Sequence, residues 1–353
     1  MGATAPANGS AAARIKVAFA DLPGWNAGEA EALLEGLARH LPEPVRARPH
    51  QALWLAAAAD LIATATGPAR HFVERHFEAF RIEAPGFLTG YYEPVIRASR
   101  TRTERFRVPF HRRPPDLVRV APPDPRLPGD GTFARRLPDG TIVPFPDRVA
   151  IGNGALDGMG LELAFVEDPV DAFFAQVQGS ARLAFEDGGE VRIGYHGKTG
   201  HPYTAIGRVL IDRGILPEGG ATMQTIRAVL AERPEIVADT LAANRSYVFF
   251  RERPCMGARA GPIAAGGVPL VPWRSLAVDR AHIRLGTPVH IETVVPGHGA
   301  HAGVAIAEDT GSAIVGPARG DLFFGSGDEA GALAGTMKSP ARLTLIVPKG
   351  VSP

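Results

Sequence analysis

The chain has 353 residues, a formal net charge of +1, 45% hydrophobic residues and 21% charged residues. That length exceeds what one hydrophobic core sustains, so two compact domains are expected. The near-zero charge excludes a strong electrostatic draw to nucleic acid or to a membrane surface, and no run approaches the roughly 18 apolar residues a membrane span requires. Counts of 41 Gly and 32 Pro favour many turns and a largely β architecture over a helix bundle.

The opening "MGATAPANGSAAAR", small and polar, is expected to form a flexible leader over 1–14. "NAGEAEALLEGLARHL" then sets Ala30, Leu33, Leu34, Leu37 and Leu41 at helical spacing, and "QALWLAAAADLIATAT" and "GPARHFVERHFEAF" predict two further helices. From Pro85 the character changes, and "PGFLTGYYEPVIRAS", aromatic and β-branched between Gly and Pro, predicts a strand. The stretch "RASRTRTERFRVPFHRRPPDLVRV" holds eight arginines against two acids. A solvated edge strand and loop explains it, with an anionic docking surface as the sharper alternative. No aromatic ladder accompanies it, which speaks against nucleic acid.

"DPVDAFFAQVQGS" predicts a helix ending at Gly179, and "ARLAFEDGGEVRIGY" a hairpin around Gly188 and Gly189. "PYTAIGRVLIDRG" and "ATMQTIRAVLAERPEIVADTLAANRS" predict helices, with Pro234 opening a new one, before the strand "YVFF". Beyond Gly257 almost only short strands and turns are expected, with "GVPLV", "TPVHIET", "HAGVAIAED", "SAIVG" and "ARLTLIVP" as strands at the spacing of a small β-barrel.

Several apparent motifs fail. "YHGKTG" ends like a phosphate-binding loop, but the loop needs glycine where Arg192 stands. His71 and His76 are five apart, so on a helix they diverge by roughly 140° and share no metal. His196 and His201 flank a glycine turn without a carboxylate near them in sequence. Gly325–Gly327 is too short for a nucleophile elbow. Cys255, alone in "RERPCMGARAG", excludes an internal disulfide and reads as a turn or core residue ahead of a nucleophile.

The remaining polar clusters suit an uncharged polyhydroxylated ligand. "LTGYYEP" offers Thr89, Tyr91, Tyr92 and Glu93 around Gly90; tyrosine rings stack on sugar faces. Its bland alternative is a strand whose two tyrosines point to opposite faces, one of them in the core. Gln176, Gln178, Gly179 and Ser180 form a second cluster, and Lys198 stands between Gly197 and Thr199. Each has a structural alternative, as a helix end or a solvated side chain. In "AEDTGSAIVGPARGD", Asp309 precedes a turn and Asp321 follows one, and taken alone both read as turn aspartates.

Together these pieces resemble the membrane-bound lytic murein transglycosylase A family with its C-terminal three-aspartate (3D) domain. The matching segments are "FLTGYYEP", "DPVDAFFAQVQGSARLAF", "YHGKTGHPYTAIGRVLIDRGIL", "VFFRE", "GVPLVPWRSLAVDR", "LGTPVHIET", "EDTGSAIVGPARGDLFFGSGDEAG" and "RLTLIVP", in order across about residues 85–348. The resemblance implies a mainly β fold with helices (α+β): a double-psi β-barrel carrying a second, smaller inserted β-rich domain, with a glycan groove between them. The barrel domain would take 15–97 and 255–353 and the insert 98–254. The three aspartates correspond to Asp279, Asp309 and Asp321, with Asp321 as catalytic acid, Asp309 as its supporting carboxylate and Asp279 as a structural residue. Thr89, Gly90, Tyr91, Gln176, Gln178, Gly179, Ser180 and Lys198 fall on or beside the family's groove positions.

The implied reaction cleaves the β-1,4 bond between N-acetylmuramic acid and N-acetylglucosamine in peptidoglycan without water, needing one carboxyl group where hydrolysis normally needs two. No cofactor and no metal are expected. The partner would be a peptidoglycan glycan strand, with cell-wall synthesis or division proteins as further partners; a monomer is expected. The leader lacks the signal peptide and lipid-attachment cysteine typical of lipoprotein members, while the family implies a periplasmic or cell-envelope location associated with the outer membrane. The family often carries a hydroxyl-bearing aromatic after the catalytic aspartate. Here Phe323 and Phe324 follow, which implies a lost groove hydrogen bond. The alternatives are a glycoside hydrolase on the same barrel and a non-catalytic glycan-binding module.

Overall fold

The structure is a computed structural model that describes residues 12–48, 50–63, 66–253 and 261–352. Cys255 and residues 1–11 of the expected leader lie outside the described residues. The strands begin with β1 (Arg14–Val17), β2 (Phe77–Ile82) and β3 (Gly86–Glu93). Next come β4 (Val95–Ser99), β5 (Val108–His111), β6 (Leu117–Arg119), β7 (Phe133–Arg136), β8 (Ile142–Val143) and β9 (Glu162–Val166). Then follow β10 (Ser180–Phe185), β11 (Glu190–Lys198) and β12 (Val248–Arg253). The last group is β13 (Ser275–Val278), β14 (Pro288–Val295), β15 (Gly299–Asp309), β16 (Arg319–Ser326) and β17 (Lys338–Pro348).

The chain forms two compact units, one of residues 1–91, 263–325 and 336–353, the other of residues 92–262 and 326–335. The division falls at 91/92 and 262/263, where the sequence suggested 97/98 and 254/255. Val95–Ser99 pairs with β10 and β9 rather than with the barrel.

In the first unit, strands run in the order β1-β2-β17-β14-β15-β13-β16-β3, and β17 also pairs with β3. That second pairing closes β3, β13, β14, β15, β16 and β17 into a six-stranded barrel and removes its free edges. At the closing seam Gly86 lies opposite Ala341, whose carbonyl a Cβ at position 86 would strike. Gly86→Ala is therefore expected to cost about 1–3 kcal/mol of stability, measured by urea unfolding.

The N-terminal helices cover one face of this unit. Asn26 opens the helix Ala27–Ala38 by accepting from the Glu29 N–H at 3.1 Å. Its Leu33 and Leu37 are fully buried and join Leu55, Phe72 and Val73 from the next helices against Phe77, Ala79, Val304, Ile306 and Ile346 of the sheet. Each such side chain contributes about 1.5–3 kcal/mol by leaving water. Two expectations change here. "HFEAF" is not the end of a helix: the helix stops at His76 and Phe77 opens β2, which pairs with β1 and β17. A strand, β1, begins at Arg14 inside the stretch expected as leader. Pairing with a strand more than 60 residues away overrides the local helical pattern.

In the second unit, a six-stranded mixed sheet has the order β12-β11-β10-β4-β9-β5, beside a small sheet β6-β7-β8. The helix Pro169–Gln178 begins with an Asp168 cap and ends at Gly179 in the left-handed region (φ 78°). Two features depart from the sequence reading. "PGFLTGYYEPVIRAS" is two strands separated by Pro94. Residues Asp328–Thr336 form a helix where only strands and turns were expected. The Arg-rich stretch contains the sheet-edge strand β5, and its arginines meet acids distant in sequence. Arg105 reaches Glu167 at 2.9 Å, Arg112 reaches Glu252 at 3.4 Å, and Arg97 reaches Glu186 at 3.7 Å. All are solvent-exposed pairs, each worth well under about 1 kcal/mol.

A buried ion pair anchors this unit. Glu93, fully buried, accepts from Arg192 Nε at 2.5 Å and Nη2 at 3.0 Å, and from Ser326 Oγ at 2.8 Å. Arg192 Nη1 donates to the Gly261 carbonyl at 3.1 Å. Arg192, the residue that spoils a phosphate loop in "YHGKTG", is thus an inward-pointing structural cation.

Candidate active site

Asp309 and Asp321 come together through β13. Ala277 of that strand pairs with Asp309 of parallel β15 on one side and with Asp321 of antiparallel β16 on the other. Neighbouring strands lie about 4.8 Å apart, so the two Cα atoms are separated by roughly 10 Å. Residues in one row project to one face, and in this row Ala277 stands between the two aspartates. The register shifts between Leu276 and Ala277, because Glu308 is an extra residue on β15. This bulge sets Asp309, not Glu308, opposite Ala277.

Glu308 turns elsewhere and is fully buried. It accepts from Arg39 Nη2 at 2.7 Å and from the Ser275 hydroxyl, and lies 3.2 Å from His40 Nε2. Its backbone carbonyl accepts from the Gly266 N–H at 2.7 Å, which fixes the turn at 264–267. The neighbouring Ala265 N–H donates to Asp309 Oδ1 at 3.1 Å. Asp309 Oδ2 accepts from the Tyr91 hydroxyl at 3.3 Å. Both Asp309 oxygens are therefore held by protein donors.

Asp321 is held differently. The Thr89 hydroxyl donates to its Oδ1 at 2.7 Å, and Arg319 Nη2 donates to Thr89 Oγ1 at 2.7 Å. Thr89 and Tyr91, two apart on β3, thus face the two aspartates from the same side of one strand. Tyr91 also packs in a small apolar cluster with Ala264, Leu270, Ala277 and Phe323, its ring 5.2 Å from that of Phe323.

Burial, then the Thr89 bond and the Arg319 cation acting against it, and the nearby Asp309 charge decide the Asp321 carboxyl: desolvation dominates and pushes it up to about 6. Desolvation likewise pushes Asp309 up to about 6, against the opposing N–H and hydroxyl donors. Burial first, then the Asp309 charge, raises the Tyr91 phenol well above its usual range, so it serves only as a donor. Tyr91→Phe removes one of the donors that stabilise ionised Asp309. It is expected to raise the Asp309 pKa above about 6, read by NMR titration of its carboxyl carbon.

Asp279 lies apart from this pair. Its Oδ1 accepts from the Ala281 N–H at 3.0 Å and its Oδ2 from the Gly316 N–H at 2.8 Å, so it ties a turn to the loop preceding β16. Gly90 sits between Thr89 and Tyr91 in β3. The other groove candidates belong to the second unit. Gln176 is buried and its carbonyl accepts from Arg148 Nη2 at 2.6 Å. Gln178 accepts from the Tyr92 N–H at 3.0 Å, Gly179 caps its helix, and Ser180 opens β10. Lys198 lies 3.4 Å from Asp130. Both tyrosines of "GYYE" are buried, not one. Phe323 and Phe324 are 1% and 4% exposed, the latter edge-on to Trp273 at 4.7 Å. They are core residues, so the expectation of a missing groove hydroxyl does not follow from their positions.

Sequence reasoning missed Ala277, Glu308 and Arg319. Only the short side chain at 277, adjacent to Val278-Asp279, offered any signal for a close row. Among the described residues no cluster of three His, Cys, Asp or Glu side chains could hold a metal, and no helix is long and apolar enough to cross a membrane.

Residues 87–251 match the MltA specific insert domain and residues 274–347 the 3D domain. The fold matches the crystal structure of a membrane-bound lytic murein transglycosylase from Agrobacterium tumefaciens with a TM-score of 0.85 and 42% identity, over 95% of this chain and 98% of that one. The chain belongs to the membrane-bound lytic murein transglycosylase A family. A crystal structure of MltA from Neisseria gonorrhoeae agrees with a TM-score of 0.80 at 33% identity, over 98% of this chain and 97% of that one. One of Escherichia coli MltA with bound chitohexaose agrees at 0.70 and 27% identity, over 96% and 95% of the two chains. The curated Escherichia coli K12 member of the lytic murein transglycosylase A family is 35% identical over 70% of this chain, and the Vibrio cholerae member 36% over 56%. Those alignments span 61% and 55% of the two relatives, so the chain matches rather more than half of their length. Asp279, Asp309 and Asp321 all fall within the 3D match, and Thr89 and Tyr91 within the insert match.

Proposed function

We propose that this chain is a lytic transglycosylase that cleaves the β-1,4 bond between N-acetylmuramic acid and N-acetylglucosamine in peptidoglycan, with Asp321 as acid and then base. The observation that carries this is the held, half-buried Asp321 carboxyl, raised to about 6, so that a protonated fraction persists near neutral pH. Asp321 donates its proton to the glycosidic oxygen as the C1–O bond breaks. The resulting carboxylate then takes the proton of the muramoyl C6 hydroxyl, whose oxygen bonds to C1 and closes a 1,6-anhydro ring. The nucleophile belongs to the substrate, which replaces an activated water by a high effective concentration. Asp309 supports the oxocarbenium-like transition state by its charge and keeps Asp321 protonated by repulsion. Glycan binding is carried over from the chitohexaose held by the Escherichia coli relative. Thr89, Gly90 and Tyr91 border the reacting bond in this reading, and Gln176, Gln178, Gly179, Ser180 and Lys198 are further glycan-binding residues. A cell-envelope location, periplasmic and associated with the outer membrane, accords with the membrane-bound relatives.

The presence of a second carboxyl group favours hydrolysis as the runner-up, since Asp309 could activate water. Its two oxygens are already engaged by Ala265 and Tyr91, which argues against that role. Digestion of purified peptidoglycan decides the matter by mass spectrometry. Anhydro-ended muropeptides, one water lighter than hydrolytic products, are expected. Products with reducing muramic acid ends would establish hydrolysis, and binding without released fragments would establish a non-catalytic module.

A further inference from the structure

Arg319 is a partly buried cation two residues before Asp321, and nothing in the reaction above uses it. Its Nη1 donates to the Gly320 carbonyl and, at 3.5 Å, to the Phe87 carbonyl, while the guanidinium carbon lies 5.4 Å above the Phe87 ring. These contacts leave Nη2 pointed at Thr89 Oγ1 at 2.7 Å.

A guanidinium has five donors and no acceptor. Thr89 Oγ1 must therefore accept from Arg319, and its single hydrogen turns away from the cation. Among the described residues the acceptor it then meets is Asp321 Oδ1, at 2.7 Å. An oxygen that accepts this bond beside a cation is the wrong place for the acid proton. We infer that Arg319 is a positioning residue that sets the direction of the Thr89–Asp321 hydrogen bond and so confines the acid proton to Oδ2, the oxygen presented to the glycosidic bond. This rests on the acid role proposed for Asp321.

The device has two opposed effects. It orients the proton, which raises the rate. It also brings a positive charge and a donor to Asp321, both of which favour the carboxylate. The groups that face Asp321 are Arg319 on its own strand, Thr89 and Tyr91 on β3, and Asp309 on β15. Of these only Arg319 is a cation.

The test is the pH profile of kcat/KM for clearing a peptidoglycan suspension, with folding checked by circular dichroism. R319M is expected to lower the maximum about 10-fold or more, a fraction of what general acid catalysis supplies. It is also expected to move the descending alkaline limb upward by about half a unit or more, because a charge that favoured the carboxylate is gone. R319K keeps the cation and should hold the limb near its wild-type position. T89V removes the relay and should shift the limb in the same direction as R319M, with T89V/R319M no worse than the more damaging single variant. A lower maximum with an unmoved limb in both R319M and T89V, or full additivity of the two, overturns the inference. If R319M does not fold, the T89V limb alone decides it. D321N separates the two readings: near-normal activity in D321N removes the acid role itself, whereas an inactive D321N with an unaffected R319M removes only the role of Arg319.

Discussion

Asp321→Asn is expected to lower kcat/KM for peptidoglycan clearance by at least about 10³-fold. General acid–base catalysis contributes about 10²–10⁴, and this one side chain is asked to serve twice. The amide preserves shape and can still accept from Thr89, so the fold should be retained. In the wild type, activity should fall as pH rises above about 6, where the raised carboxyl loses its proton. Stability should move the other way on substitution. The folded state holds protons on Asp321 and Asp309 above their unfolded pKa of about 3.9, so it binds more protons than the unfolded chain between about pH 4 and 6. Stability therefore declines across that window as pH rises, and the deficit is complete above it. Replacing Asp321 by a neutral residue relieves part of that deficit. A higher midpoint of thermal unfolding at pH 7 together with lost activity is the expected pair of results. A drop in both would show that the residue is needed for folding.

Glu93→Ala is expected to cost about 3–5 kcal/mol, the largest stability loss of any single change considered. Glu93 is fully buried and Arg192 is 1% exposed, so removing the carboxylate leaves a guanidinium buried without its counter-charge. Chemical denaturation should show the loss as a lower midpoint. Replacing both partners by apolar residues of similar volume, as in E93L/R192M, should recover much of it, because the desolvation penalty of both charges then disappears. If the single and double variants are equally unstable, the packing of these side chains matters more than their charge.

Four of the six barrel strands, β3, β14, β15 and β17, were legible because alternation and turn residues are local signals, whereas the expected strands "GVPLV" and "SAIVG" are loops and turns and β13 and β16 were not foreseen. "TPVHIET", "HAGVAIAED" and "ARLTLIVP" all fall on observed strands. The strand Phe77–Ile82 was not legible, because "HFVERHFEAF" has helical spacing and only its pairing with Ile346 and its neighbours makes it extended. The helix Asp328–Thr336 was hidden by its small residues, "DEAGALAGT", which give no apolar stripe. At the site, Asp309, Asp321, Thr89 and Tyr91 were named from the residues and the resemblance, and all four meet within hydrogen-bond networks. Arg319 and Glu308 were not, since each acts through partners far along the chain: Thr89 is 230 residues away and Arg39 is 269. Gln176 was named as a ligand group by its amide type, and its partner Arg148, 28 residues away, was not foreseen.

Strand β3 has a consequence for how this region can vary. Thr89 meets Asp321 and Tyr91 meets Asp309 because both project from one face, with Gly90 between them. Inserting or deleting a single residue before Thr89 within β3 would invert that face, and both contacts would be lost in one step. A change in this strand's length would therefore act on both aspartates at once, and a library of one-residue insertions should show a sharply bounded intolerant block from Gly86 to Tyr91.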